Sequence, residues 1–269
     1  LMMLKKLELS DSDHKELISY CNLKNINFFS TAFDEEGVSY LSSLNLNMLK
    51  IPSGELTNFP YLRAIAQTSL PVILSTGMAS MGEIEKSINV LVSHGTKKRE
   101  ITVLHCNTEY PTPMKDVNLK AMLTIKEKLG VSIGYSDHTL GIEVPIAAVA
   151  IGAEVIEKHF TLDRNLDSVD GAFSMLPNEF AEMVNAVHLT KRSIGSHVEK
   201  KMISPDSAFY KRSILVSENI NKGEEFTELN IRIARPGDGM CPSMWSEILG
   251  ARASRDLVIG HPLSTEDIA

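Results

Sequence analysis

The sequence has few cysteines and no long apolar run. Its 269 residues include three cysteines, Cys21, Cys106 and Cys241, which form no CxxC pair and are odd in number. This usage argues against a disulfide scaffold and predicts a reducing compartment, with the cytoplasm as the default. No apolar run approaches the ~20 residues that a membrane-spanning helix needs. The opening residues also lack the apolar core of a signal peptide.

An excess of positive charge is also missing. The formal net charge is -7, the sequence pI is about 5.7, and Lys and Arg form no cluster longer than a few residues. These features argue against nucleic acid or another polyanion as the partner. A small phosphorylated substrate stays possible, because a few placed cations and amides can hold it. With 43% hydrophobic and 23% charged residues, the chain can form one large domain or two smaller ones.

Short apolar runs alternate with helical patterns up to about residue 195, which predicts βα units on a parallel sheet. Six strands are predicted, at residues 26–30, 48–51, 71–75, 101–105, 131–135 and 154–158. Seven helices are predicted, at residues 11–23, 35–44, 59–67, 81–94, 118–129, 144–152 and 179–194. Helix starts are expected at Ser10, Asn58 and Asn178.

Six parallel strands suit either an open doubly wound sheet or most of an eight-stranded barrel. Two observations favour the barrel. No GxGxxG phosphate fingerprint follows the first strand, as a dinucleotide-binding sheet would need. Nearly every strand is also followed by reactive or hydrogen-bonding residues, which is expected where all strands end around one cavity.

The last part of the chain has a different pattern. The periodicity lapses at residues 200–212, which predicts a linker at 196–212 between a domain at 1–195 and one at 213–269. The later region is β-rich and contains an internal repeat at an offset of 37 residues, in which 222–227 resembles 259–264 and 230–231 resembles 267–268. The repeat predicts a small pseudo-symmetric domain.

Two histidines, His138 and His159, follow neighbouring predicted strands. Adjacent barrel strands place such residues side by side, and two imidazoles with open positions beside them suit a divalent metal that also binds substrate oxygens. A single histidine at a strand end more often makes a hydrogen bond. The pairing, together with the surrounding polar strand ends, is therefore what favours a metal.

The other strand exits supply one cation and five hydroxyl groups, which could together hold a phosphate or carboxylate. These residues are Lys50, Thr31, Ser53, Ser75, Thr108 and Ser136. Each Ser or Thr alone is better explained by a helix cap or turn, so the argument depends on their convergence. Glu55 and Asp170 could accept hydrogen bonds from a polyhydroxylated substrate, or they could be solvated loop acids.

Five ordered motifs closely resemble the sialic acid synthase family, which includes N-acetylneuraminate, legionaminate and pseudaminate synthases. They are KIPSGELTN at 50–58, LSTGM at 74–78, LHCNTEYP at 104–111, YSDHT at 135–139 and EKHFTLDR at 157–164. The resemblance covers essentially the whole chain. It implies a TIM (β/α)8-type barrel joined to a small C-terminal antifreeze-like (SAF) domain.

The resemblance also implies a reaction, in which phosphoenolpyruvate condenses with an N-acetylated amino sugar to give a nine-carbon 2-keto acid and phosphate. Glu55, His138 and His159 are then the predicted catalytic residues, with Mn or Mg on the two histidines. The implied phosphoenolpyruvate cradle comprises Thr31, Lys50, Ser53, Ser75, Thr108 and Ser136, and the implied sugar contacts are Glu55, Tyr110 and Asp170. A domain-swapped homodimer is implied as well, in which Arg235 of an Arg-Pro-Gly motif touches the partner's sugar.

The sequence departs from the family in two ways. The family begins with two further βα units that carry catalytic residues, so a barrel lacking its first two βα units, and inactive as given, is predicted. Residues 169–177 look like pseudaminate synthases, whereas 53–55 and 107–110 look like the neuraminate and legionaminate branch. The sugar stays undecided, although Gly171, Ala172 and Phe173 predict a less polar pocket that suits a deoxy sugar.

Two alternatives belong to other classes. A non-catalytic remnant could pair with a complete subunit and present its SAF domain as a sugar-binding lid. A different metal-dependent barrel could be an aldolase, or could condense phosphoenolpyruvate into a seven- or eight-carbon keto acid phosphate. The C-terminal domain with its Arg-Pro-Gly motif at 235–237 argues against this second alternative.

Overall fold

A parallel sheet of five strands organises the first of the two units into which the chain divides, Leu1–Gly195 and Ser196–Ala269. The computed structural model describes residues 8–166, 168–195 and 207–269. The strands lie side by side in chain order, as β1 (Leu49–Ile51), β2 (Val72–Ser75), β3 (Ile101–Cys106), β4 (Ser132–Asp137) and β5 (Val155–Lys158). This order is that of a barrel wall, because a doubly wound sheet reverses its strand order at a switch point.

Five of the six predicted strands are confirmed to within two residues at each end. The strand predicted at residues 26–30 is wrong, because that segment meets the sheet only through one parallel bridge between Thr31 and Lys50. At the other edge, a single bridge joins Phe160 to Met175 just beyond β5. A strand needs a continuous ladder of hydrogen bonds to a neighbour, and in the described part of the chain residues 26–30 lack one.

Seven helices in the first unit agree with the predicted positions to within two residues. They are α1 (Asp11–Leu23), α2 (Glu35–Ser43), α3 (Phe59–Gln67), α4 (Met81–Ser93), α5 (Lys120–Leu129), α6 (Glu143–Ala150) and α7 (Pro177–Ile194). The caps at Ser10 and Asn58 are confirmed. The cap at Asn178 is wrong, because α7 begins one residue earlier at Pro177, where the missing proline N–H needs no partner. No helix in the described ranges is long and apolar enough to cross a bilayer.

Alternation along the strands gives the sheet two faces of different chemistry. One face, which includes Leu49, Leu74, Val103 and Ile133, is buried in the hydrophobic core that the helices also form. The residues between these, such as Lys50, lie on the opposite face. Because buried aliphatic side chains fix which face meets the helices, the polar residues are left to project from the other face.

The second unit is small and built around two antiparallel strands, β6 (Ser213–Val216) and β7 (Ile231–Ala234). Its described residues, 207–269, also include two one-turn helices, α8 (Ser207–Tyr210) and α9 (Trp245–Ile248). Residues 196–206 of the predicted linker lie outside the described residues, and α8 occupies part of the remainder. Buried side chains from both strands and from Phe226 and Leu263 form its core.

The 37-residue repeat is confirmed by the hydrogen bonds of this unit. Ile220 and Leu257 are related by the repeat and exchange two backbone hydrogen bonds with each other, of 2.9 and 2.8 Å. Gly223 and Gly260, also related by it, have φ angles of 81° and 87°, which a residue with a Cβ rarely adopts. The two halves therefore repeat one turn structure.

Each half also closes its turn with a side-chain oxygen at the equivalent position. The Thr227 amide donates to Oδ1 of Asn230 at 2.7 Å, and the Ser264 amide donates to Oδ2 of Asp267 at 2.8 Å. The same geometry is thus built once with a neutral amide and once with a carboxylate.

Candidate active site

The sheet face opposite the helices carries a row of polar residues near the carboxyl ends of the strands. Cys106 pairs in register with Ser136, and Ser136 pairs with Glu157, so the three side chains lie on one face of β3, β4 and β5. Two residues further along the chain, His138 and His159 follow on the same side by alternation. Strand pairing thus brings the two predicted metal ligands together.

The two imidazoles lie side by side, with ring centroids 5.2 Å apart and planes at 66°. Nδ1 of His138 lies 2.7 Å from the carbonyl oxygen of Asn107 and must donate to it, which leaves the lone pair of Nε2 available. Burial lowers the pKa of His138, so the ring is neutral at pH 7. A neutral, oriented imidazole is the form that binds a metal.

The segment after β5 is held against His159 by backbone hydrogen bonds. The Met175 amide donates to the His159 carbonyl at 2.9 Å, and the Thr161 amide donates to the Met175 carbonyl at 2.9 Å. These bonds hold the turn that precedes Met175 next to the imidazole, so Oδ2 of Asp170 lies 3.5 Å from Nδ1 of His159. The ring of Phe173 lies 5.1 Å from the same imidazole.

Two aromatic rings, Tyr110 and Phe173, flank the histidines and are called the aromatic wall here. The Tyr110 ring centroid lies 4.2 Å from that of His138 and 5.6 Å from that of Phe173. Burial raises the pKa of the Tyr110 phenol, so its hydroxyl stays protonated and can donate a hydrogen bond. The wall therefore offers apolar surface and one hydroxyl to whatever binds beside the imidazoles.

The donor set fits a divalent cation that takes further ligands from a substrate. Within residues 8–166, 168–195 and 207–269, no group of three or more His, Cys, Asp or Glu side chains could hold a metal on its own. His138 and His159 would supply two nitrogen ligands and leave the other positions open. Open positions are what a catalytic, rather than a structural, metal needs.

A carboxylate occupies the centre of the predicted anion cradle. Lys50 Nζ lies 3.0 Å from Oε2 of Glu157, and Ser136 Oγ donates to Oε1 of the same carboxylate at 2.6 Å. Thr31 bridges to Lys50 through the backbone, so three of the predicted cradle residues are neighbours. Glu157 was not predicted as a site residue, although it precedes His159 by two positions just as Ser136 precedes His138.

The remaining cradle hydroxyls surround the loop that follows β2. The Gly77 amide donates to Ser53 Oγ at 2.9 Å, and a Cβ at Gly77 would lie 2.8 Å from Cγ2 of Thr108, so only glycine fits. Ser75 is 4% exposed, and its Oγ has no hydrogen-bond partner among the described residues. Burying a hydroxyl without a hydrogen-bond partner costs free energy. Such a hydroxyl is expected where a bound ligand supplies the partner.

Glu55 and Arg235 are the remaining predicted residues of the site. Oε2 of Glu55 accepts a hydrogen bond from Nδ2 of Asn58 at 2.6 Å, so the carboxylate is held within its own turn. Arg235 belongs to the second unit, where it is exposed. The roles of both residues stay predictions.

Comparison with known proteins identifies both parts of the chain. Residues 1–199 match the model of the NeuB family, and residues 211–269 match the SAF domain. The five-stranded parallel sheet is accordingly half of a TIM-type barrel, and the small β6–β7 sheet lies within the SAF match.

Curated relatives and solved structures agree with these matches. The N,N'-diacetyllegionaminic acid synthase of Campylobacter jejuni is 45% identical over 95% of this chain and 77% of its own length. The pseudaminic acid synthase of Helicobacter pylori is 38% identical, over 95% of this chain and 75% of its own length. A crystal structure of N-acetylneuraminic acid synthetase from Leptospira borgpetersenii, in complex with citrate, is 38% identical with a TM-score of 0.70, covering 73% of this chain and 68% of that one.

Proposed function

The chain belongs to the NeuB family and carries a SAF domain, and from this premise we propose that its reaction is the condensation of phosphoenolpyruvate with a 2-acetamido sugar. In that reaction C3 of phosphoenolpyruvate bonds to the sugar aldehyde carbon, and the aldehyde oxygen gains a proton. Water adds at C2, and the C2–O bond to phosphate breaks. The products are a nonulosonic acid and inorganic phosphate. The observation that carries the proposal is the histidine pair, with its rings 5.2 Å apart, beside the cradle of Lys50 and Ser136.

The cradle residues act on the phosphoenolpyruvate end. Lys50 is buried on the site face, where low solvent access strengthens its attraction for an anion. Ser136 and Ser75 add hydroxyl donors. One cation and several neutral donors suit an anion that must be released again as phosphate. Holding the anion in this way also fixes the direction from which C3 approaches the aldehyde.

The histidine pair acts on the sugar aldehyde. A divalent cation such as Mn or Mg, when bound, supplies a Lewis acid that polarises the aldehyde oxygen. His138 and His159 would hold it, with His138 kept in one tautomer by Asn107. The rings of Tyr110 and Phe173 lie beside the same position, 4.2 Å from His138 and 5.1 Å from His159 between centroids.

Replacing Glu157 by Gln is expected to tighten phosphoenolpyruvate binding about tenfold. The Glu157 carboxylate competes with the substrate anion for Lys50 and Ser136, and it is 37% exposed, so solvent screening leaves only about 1 kcal/mol of the attraction, which is close to tenfold in binding. The dissociation constant can be measured by isothermal titration calorimetry of the whole chain. Glu154→Gln, which removes a carboxylate bonded to Ser132 at the other end of the sheet, is the matched control. Weaker binding in Glu157→Gln would show that the carboxylate helps to hold the substrate.

Replacing Phe173 by Asn is expected to reduce a preference for deoxy sugars about tenfold, since one apolar contact discriminates between substrates by 10- to 200-fold at most. We propose that the unmodified site has a higher kcat/KM with diacetamido-trideoxy hexoses than with N-acetylmannosamine, because the aromatic wall cannot bond extra hydroxyls. Phe160→Asn is the control, since that ring packs on Phe180 instead. The highest kcat/KM with N-acetylmannosamine, measured in a form with two βα units added ahead of residue 1, would refute the assignment.

Phosphate release tests the proposed reaction. Residues 1–269, and a form with two βα units added ahead of residue 1, should be assayed with phosphoenolpyruvate, Mn and each of three sugars. We expect release only from the extended form. In the described residues the far edge of β1 pairs only through one bridge, at Thr31, so water can reach the site face from that side. If neither form releases phosphate, the result would favour the non-catalytic remnant with a sugar-binding SAF domain. The proposal includes a domain-swapped homodimer in which Arg235 touches the partner's sugar.

A further inference from the structure

A second ion pair lies directly behind the histidines, on the helix-facing side of the sheet. Lys158 Nζ is 2.5 Å from Oδ2 of Asp137, and the two side chains are 2% and 0% exposed. The same ammonium group donates to the carbonyl oxygens of Thr139 and Gly141. Oδ1 of Asp137 in turn accepts from the Thr139 amide at 2.9 Å.

The position of this pair relates it to both imidazoles. Asp137 and Lys158 are register partners on β4 and β5, and each immediately precedes one of the histidines. Because neighbouring residues in a strand point to opposite faces, the ion pair joins the two strands directly below His138 and His159. Its extra bonds to Thr139 and Gly141 hold the loop that leaves His138.

Stability alone is a weak explanation for such a pair. Removing two charges from water offsets most of their attraction, and apolar replacements of similar volume are often as stable. The geometry gives the pair a second role, because the Lys158 ammonium group on β5 bonds both to the β4 carboxylate and to two carbonyls of the following loop. We propose that Asp137 and Lys158 are positioning residues that fix His138 relative to His159 and thereby set the affinity of the pair for a divalent cation. The cation part of this inference rests on the proposed function.

The test replaces both partners together, as Asp137→Asn with Lys158→Met, so that no unpaired charge stays buried. The control is Ser132→Ala with Glu154→Gln, which removes a 3.2 Å link between the same two strands at their other ends. Mn binding is followed at fixed pH by the electron paramagnetic resonance signal of free Mn, with circular dichroism to confirm folding. We expect affinity to fall 10- to 100-fold in the first variant, as for other groups that orient metal ligands, and to stay within twofold in the control.

A second readout needs no metal. In the metal-free protein, ¹⁵N spectra of the histidine rings, assigned with His138→Gln, should show one fixed tautomer for His138 in the parent and the control. The double variant should show averaging between tautomers. A double variant that is folded, keeps the fixed tautomer and binds Mn as the parent does would overturn the inference. If the parent binds no Mn, the cation in the proposed function is refuted. The tautomer readout alone then decides whether Asp137 and Lys158 position His138.

Discussion

Substitution of His138 by Gln is expected to lower kcat/KM for phosphate release about 1,000-fold, equivalent to about 4 kcal/mol of transition-state stabilisation. Glutamine keeps a polar side chain of similar reach but has no imidazole nitrogen to bind a cation. It also loses the bond to the Asn107 carbonyl that orients the ring at 2.7 Å. The measurement is the initial rate of phosphate release with Mn, in the form that carries the added βα units.

The same loss is expected for His159→Gln, and the double substitution should be little worse than either single one, because the two rings act on one cation. His94→Gln is the matched control, since that imidazole lies at the exposed end of α4 and bonds to the Val90 carbonyl. Retention of more than a tenth of the activity in His138→Gln would exclude a cation on this pair as the electrophile.

Substitution of Asp267 by Ala is expected to lower the free energy of unfolding of the second unit by about 3–5 kcal/mol, as for loss of one partner from a buried ionic network. The carboxylate side chain is 0% exposed and accepts hydrogen bonds of 2.7–2.9 Å from His261, Ser264 and Arg255. Without it, these donors lose their common acceptor. Urea unfolding can be followed through Trp245, the single tryptophan, which packs on the core of this unit.

The repeat provides the control for this prediction. Asn230→Ala removes the equivalent neutral side chain, which makes one acceptor and one donor bond, so about 1–2 kcal/mol is expected. Equal losses in the two variants would show that the charge network around Asp267 contributes nothing beyond the turn.

The charge at Asp267 also gives this unit a predictable dependence on pH. Burial works to raise the pKa of the carboxyl, but hydrogen bonds from His261, Ser264 and Arg255 outweigh it and lower the pKa to about 2. A depressed pKa contributes stability above the unfolded value of about 3.9 and loses it as the pH falls toward 2. Urea midpoints should therefore fall between pH 4 and pH 2 in the parent and change less in Asp267→Asn.

Strand and helix positions could be predicted from the sequence because their signals are local. Apolar alternation and caps such as Ser10 placed most elements within two residues. The segment at residues 26–30 has the same local pattern, but a strand also depends on partners elsewhere in the chain, which composition does not reveal. The segment forms no ladder, and the residue that follows it, Thr31, makes a single bridge to Lys50.

The site shows a similar division. His138 and His159 could be paired because both follow neighbouring strands, and the structure brings them together. Glu157 could have been found from the same alternation, since it lies on the face of Ser136. The Asp137–Lys158 pair could not, because alternation assigns both side chains to the helix-facing side but does not show which partners they meet there. The bond from Glu55 to Asn58 likewise depends on the turn between them.

The order of the strands has a consequence for how the first unit folds and grows. Each strand pairs with the strand that precedes or follows it in the chain, and none inserts between two earlier ones. The contact order of the sheet is therefore low for a parallel fold, and assembly can proceed from one βα unit to the next as the chain is synthesised. Lengthening such a sheet at an edge breaks no existing pair, so a further βα unit can be added there without rearranging the strands already in place.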